Sequence, residues 1–124
     1  MSVATTPRSL TPSERAVVEL ILANDFPGVV ELRAQVDFVQ VVARWAADSV
    51  SVDLVVPEGA LPAQGVSGVI PVDATVVDDS GVPSGEILLW ATRGYLSAIE
   101  YAWYGDEVPR ALPDVALIMT EVRA

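Results

Sequence analysis

Apolar positions recur along this chain at two periods, and the change from one to the other near residue 38 divides it. In TPSERAVVELILANDF, residues 11–26, Val17, Leu20 and Ile21 fall at helical spacing and Val18 and Leu22 widen the stripe, which predicts an amphipathic helix. Thr11 suits the cap, Pro12 the first helical position and Glu14 the capping box, while Arg15 and Glu19 form an i,i+4 pair. Asn24, Asp25 and Pro27 end the helix. PGVVELRAQV then predicts a second, shorter helix with Val29, Leu32 and Val36 on one face. Residues 1–9, small and polar with no apolar period, are expected as a mobile lead-in to a single domain over 10–124.

From Phe38 the period falls to two. FVQVVARWA alternates Val39, Val41, Ala43 and Trp45 with Gln40, Val42 and Arg44, and VSVDLVV alternates Val50, Val52, Leu54 and Val56 with Ser51, Asp53 and Val55, so the two predict a hairpin. PEGALPAQGVSG, residues 57–68, reads as a surface loop and DDSGVPSG as a turn. VIPVDATVV, GEILLWAT and YLSAIEYAWY complete five strands, the last two joined at Arg93-Gly94. Beyond Pro109 and Pro113, DVALIMTEV fits a closing strand or a short helix equally well. The fold class is α+β, with two N-terminal helices packed on an antiparallel β-meander of about five strands.

Alternation along the final hairpin places Leu88, Trp90, Tyr95, Ile99, Tyr101 and Trp103 on one face and Ile87, Leu89, Leu96, Ala98, Glu100 and Ala102 on the other. Leu88 is expected opposite Ile99, Ile87 opposite Glu100 and Trp90 opposite Ser97. Both faces are apolar, so both require cover, and two helices can supply it on only one.

Composition changes the picture mainly by exclusion. There is no Cys, His or Lys, which removes thiolate and histidine chemistry, disulfides, thiolate zinc sites and lysine Schiff bases. Seventeen acidic residues against seven arginines give a net charge of −10, and the arginines are scattered, so nucleic acid is not an expected partner. No apolar run reaches the ~18–20 residues of a membrane span, and MSVATTPRSLTPSE lacks the apolar centre of a secretory signal, so a cytoplasmic location is expected. No cofactor, metal site or catalytic residue is assigned: Asp78 and Asp79 suit a hard cation by chemistry but lack calcium-loop spacing and read as a turn.

Candidate binding residues are Trp90, Glu100, Tyr101, Trp103 and Tyr104, where aromatic anchors surround one carboxylate. Glu100 lies at the solvent edge of its face, pairs with an arginine, or serves as a desolvated acid, for which Asp53 is the best second group by strand position. The charge and the doubly apolar hairpin favour a small acidic interaction domain, of the immunity, antitoxin or regulatory-accessory kind, whose partner is a basic protein or a second copy of the chain. The alternative is a small-molecule-binding protein or carboxylate-dependent enzyme with Glu100 in a pocket.

TPSERAVVELILANDFPGVVELRAQV, with FPG before ELRAQ, and GEILLWATRGYLSAIEYAWYGDEVPRALPD, with YLSAIEYAWY before DEVP and LPD, resemble a group of small uncharacterised actinobacterial proteins. The resemblance covers the first third and last quarter of the chain. It implies a compact domain and carries no activity.

Overall fold

The computed structural model describes residues 2–123. Helix α1 (Pro12–Leu22) starts as its sequence dictates: the Glu14 amide donates to Thr11 Oγ1 at 3.1 Å and the Thr11 amide donates to Glu14 Oε1 at 2.8 Å. Val17, Val18, Ile21 and Leu22 are buried along one stripe. At the far end, Asn24 Nδ2 donates to Ile21 O and Arg33 Nε to Leu22 O, satisfying carbonyls that the helix itself leaves open. Arg33 belongs to helix α2 (Val29–Gln35), entered through Gly28 at φ +93. Its buried stripe of Val29 and Leu32 runs on to Val36.

Val3–Ser9, expected as a mobile lead-in, instead form strand β1, antiparallel to β2 (Gln40–Arg44). The segment has no strand pattern of its own; the ladder from β2 orders it, with an irregularity between Ala4 and Arg8 that contains Pro7, a residue with no amide to donate. Arg8 closes the strand onto the helix cap. Its Nη1 and Nη2 donate to Glu14 Oε1 and Oε2 at 2.8 and 3.0 Å, a bidentate fork on a buried carboxylate. Burial alone would raise the Glu14 pKa, but the bonds from Arg8 and Thr11 and the Arg8 charge outweigh it, leaving the carboxyl below its ordinary value.

A depressed carboxyl pKa stabilises the fold above the ordinary carboxylate range, and that contribution disappears as pH falls through the lower folded value. Glu14→Gln is therefore expected to cost about 2 kcal/mol at neutral pH and to flatten the acid limb of stability. Urea titrations of both proteins from neutral pH to below about pH 4 measure this; parallel curves would show that Glu14 is not linked to the acid transition.

The remaining strands are β3 (Val52–Val55), β4 (Gly68–Val69), β5 (Val72–Val77), β6 (Pro83–Thr92), β7 (Tyr95–Trp103) and β8 (Ile118–Val122). Among the described residues, all eight form one antiparallel sheet in the order β1-β2-β3-β7-β6-β5-β8, with β4 pairing β6 beside β5. The expected five strands thus become eight. β1 is one addition. Pro71 divides the expected third strand into β4 and β5, and the C-terminal segment holds a single 3-10 turn (Val115–Leu117) followed by β8. The order is not a simple meander, because β7 inserts between β3 and β6.

Both helices pack on one face of this sheet, against Val41, Val52, Leu54, Val72, Ala74, Val76, Ile87, Leu89, Ala91, Leu96, Ile99 and Ile118. Gln35 is fully buried within this layer. Its Nε2 donates to Leu61 O and Gly94 O at 3.0 and 2.9 Å, and its Oε1 accepts from the Leu96 amide at 3.0 Å. The loop 57–68 is consequently tied down: Ala63 is buried, its amide donates to Gly94 O, and the Gly94 amide donates to Val66 O. Among the described residues, no helix is long and apolar enough to cross a membrane.

Candidate functional site

The β6–β7 hairpin turns at Arg93 (φ +54) and Gly94 (φ +85), where both central residues take the positive φ of a two-residue turn whose twist matches the strands. Thr92 pairs with Tyr95 and Ala91 with Leu96, as alternation predicts. One extra residue then enters β7: Trp90 pairs with Ala98, so Ser97 is a bulge. Every pair beyond it shifts. Leu89 faces Ile99, Leu88 faces Glu100, Ile87 faces Tyr101 and Gly85 faces Trp103.

The expected division of faces is corrected by this bulge. Ile87, Leu89, Ala91, Leu96 and Ile99 all turn toward the helices, and Tyr101 packs at the margin of the same core, where burial raises its phenol pKa. A Cβ on Gly85 would lie 2.9 Å from Tyr101 Cε1 and 2.7 Å from Ala102 O, so only glycine leaves room for the close approach of that ring and strand. Leu88, Trp90, Ala98, Glu100 and Ala102 point the other way, to the face that carries no helix among the described residues. The five candidate residues therefore separate. Trp90 and Glu100 are on the open face, Tyr101 and Trp103 are on the helix side near the end of β7, and Tyr104 follows them, exposed.

On the open face the polar groups are paired in a regular way. Trp90 Nε1 donates to Glu100 Oε1 at 3.0 Å, and Trp45 Nε1 donates to Asp53 Oδ1, also at 3.0 Å. Asp53 pairs in register with Ala98, which pairs in turn with Trp90. Glu100 lies two residues along β7 from Ala98, so the two indole–carboxylate pairs share one strip across the middle of the sheet. Ser2 Oγ adds a hydrogen bond to Asp53 Oδ2 at 2.8 Å. The acid thus pairs with an indole rather than with an arginine, and Asp53 is placed diagonally from it across the strands. Trp45 is not among the expected site residues: alternation groups it with Val39, Val41 and Ala43, and the irregularity between Val41 and Ala43 separates it from Val39 and Val41, which lie in the core.

Two clefts lie away from this strip. The larger, about 1470 Å³, opens between the start of α1, the β2–β3 hairpin and the segment after β7, and is lined by Arg8, Arg44 and Arg110 together with Glu14, Asp48 and Glu107. A smaller hollow of about 380 Å³ includes Ser84, Tyr101, Trp103, Asp106 and Glu107. Glu100 lines neither. Asp78 makes a turn, its Oδ1 accepting from the Ser80 and Val82 amides.

What the open strip can do follows from its groups. Each indole face carries negative quadrupole density beside a carboxylate, an arrangement that attracts guanidinium and ammonium groups. Holding the indole by its N–H also fixes the ring and lowers the ordering cost of a contact. No known protein family matches the chain, and no curated protein or solved structure does so either.

Proposed function

We propose that the protein is a small acidic interaction domain, of the immunity, antitoxin or regulatory-accessory kind, whose open sheet face binds a basic protein surface. The observation that carries this reading is the strip on which Trp45 and Trp90 are held by Asp53 and Glu100 on the sheet face without helices. Arginine side chains of the partner lie over the indoles and share the carboxylates, and the net charge of −10 draws the basic surface in at long range. Glu100 acts here as a recognition group rather than as an acid catalyst.

An arginine-rich peptide titrated at low ionic strength is expected to change the tryptophan fluorescence, with an affinity that falls as salt rises. Glu100→Gln and Trp90→Phe should each weaken it about tenfold, the value of one charge-assisted contact. The control is Asp78→Asn with Asp79→Asn in the β5–β6 turn, which changes the net charge by more than Glu100→Gln does. Should that control weaken binding as strongly as Glu100→Gln, attraction would be a matter of total charge and the strip would not be the site.

A further inference from the structure

The two edges of the sheet differ in how they meet solvent. β1 carries Pro7 and an interrupted ladder, features that discourage further pairing. β8 pairs without interruption to β5, from Val76–Ile118 through Val72–Val122, has no proline, and carries one charged residue, Glu121. Its Met119 is 66% exposed and Val122 39%.

Backbone directions along β8 follow from one bond. The Arg123 amide donates to Pro71 O across β5, so Arg123, Glu121 and Met119 direct their peptide groups inward. Ile118, Thr120 and Val122 direct theirs outward. The Ile118 amide is already used, donating to Val115 O in the preceding turn. Among the described residues, the groups left open on this edge are the Ile118 carbonyl, both groups of Thr120 and both groups of Val122.

We infer that β8 is a self-pairing edge, on which a second copy of this chain docks antiparallel about a two-fold axis at Thr120. In that register each Thr120 amide donates to the Thr120 carbonyl of the second copy, and each Val122 amide donates to the opposite Ile118 carbonyl. Four bonds form, and only the Val122 carbonyls stay open. The used Ile118 amide costs nothing because its own carbonyl is the acceptor that the register needs. Ile118 lies against Val122 of the second copy on the helix side, and Glu121 against Met119 on the open side. A shift that centres the axis on Glu121 also makes four bonds among the described residues, but sets the two Glu121 carboxylates directly opposite, which like charges disfavour. Centring on Met119 makes only two, again because the Ile118 amide is occupied. The hairpin β6–β7 cannot serve in this way, since both of its strands have neighbours on either side.

Joining two chains of charge −10 opposes association at long range, so pairing through β8 is strengthened by salt, the reverse of the response expected for the basic partner. Sedimentation equilibrium up to a few hundred micromolar is expected to show a weak dimer that tightens with added salt. Thr120→Pro removes an outward amide without touching the β5 ladder and should weaken the dimer about tenfold or more. Thr120→Cys provides a second readout that needs no proline in a strand. The chain has no cysteine, and hydrogen-bonded antiparallel pairs set Cα atoms about 5.5 Å apart, within disulfide range. Under mild oxidation it should form a covalent dimer much faster than Ser80→Cys in the β5–β6 turn. A wild-type protein that stays monomeric in high salt, or equal cross-linking of the Thr120→Cys and Ser80→Cys variants, overturns the inference.

Discussion

Gln35→Leu is expected to lower the free energy of unfolding by about 3 kcal/mol, a large fraction of a typical domain's stability. Leucine has similar bulk, so the loss is not a cavity effect. It comes chiefly from the Leu96 amide, left in an apolar layer without a partner, and from the lost bond to the half-buried Leu61 carbonyl. Gly94 O keeps the bond from the Ala63 amide and suffers less. Urea unfolding followed by circular dichroism measures the loss, and amide exchange at Leu96 locates it. Gln35→Glu separates the two ends of the side chain: it retains an acceptor for Leu96 but offers no donor to Leu61 O or Gly94 O. If Gln35→Leu were as stable as the wild type, the amide would be an accessory to packing and not the tie between α2 and the hairpin.

Gly94→Ala is expected to cost about 2–4 kcal/mol, combining a left-handed backbone with overlap that cannot relax cheaply. At φ +85, an added Cβ would lie 2.7 Å from Ala63 O, 2.8 Å from Ala63 N and 2.9 Å from Pro62 Cβ. Two of those atoms are backbone, so the loop 57–68 must move. The signature is loss of exchange protection at the Ala63 amide and new protease cleavage between residues 57 and 68, with the sheet retained. Because Gln35 and Gly94 act through the same docked loop, the double variant should be less unstable than the sum of the single losses. Additive losses would mean that the turn and the buried amide stabilise the fold independently.

These two residues show why part of the fold escapes a reading of periods. Gln35 sits one position from Val36 on a stripe of Val29 and Leu32, where a polar residue reads as the margin of the helix. What makes it central is the hairpin turn, 59 residues away along the chain, whose carbonyl and following amide it reaches. The segment 57–68 has the Pro and Gly content of a surface loop and runs outside the regular elements until Gly68, where β4 begins. It is held because one of its residues, Ala63, is small enough to enter the layer and because Gly94 gives it room.

At the candidate site, the sequence separated the relevant residue types but not their neighbours. Trp90 and Glu100 were both legible as candidates, and Asp53 as the second carboxylate. Their arrangement depended on Ser97. A single bulged residue reverses the faces of the rest of β7, moving Ile99 and Tyr101 from the side of Trp90 to the helix side and leaving Glu100 beside Trp90. The only local trace is the run Leu96-Ser97-Ala98-Ile99, in which apolar residues stop alternating.

By itself the sequence determined the helix start at Thr11, Pro12 and Glu14, the stripe of α1, the turn at Arg93-Gly94 and the α+β class, because capping, helical period and turn chemistry act over a few residues. It also determined which chemistries the chain lacks, since that is a matter of inventory. Only the tertiary structure decided that Val3–Ser9 form an edge strand, that β7 lies between β3 and β6, and that Pro71 splits one strand while β8 completes the sheet. Strand partners are chosen by backbone groups and covered area that lie far apart in sequence, and alternation carries no record of either. The strip of Trp45, Asp53, Trp90 and Glu100 belongs to this second class: residues from β3, β6 and β7 and the residue just after β2 share it because the sheet order brings them together.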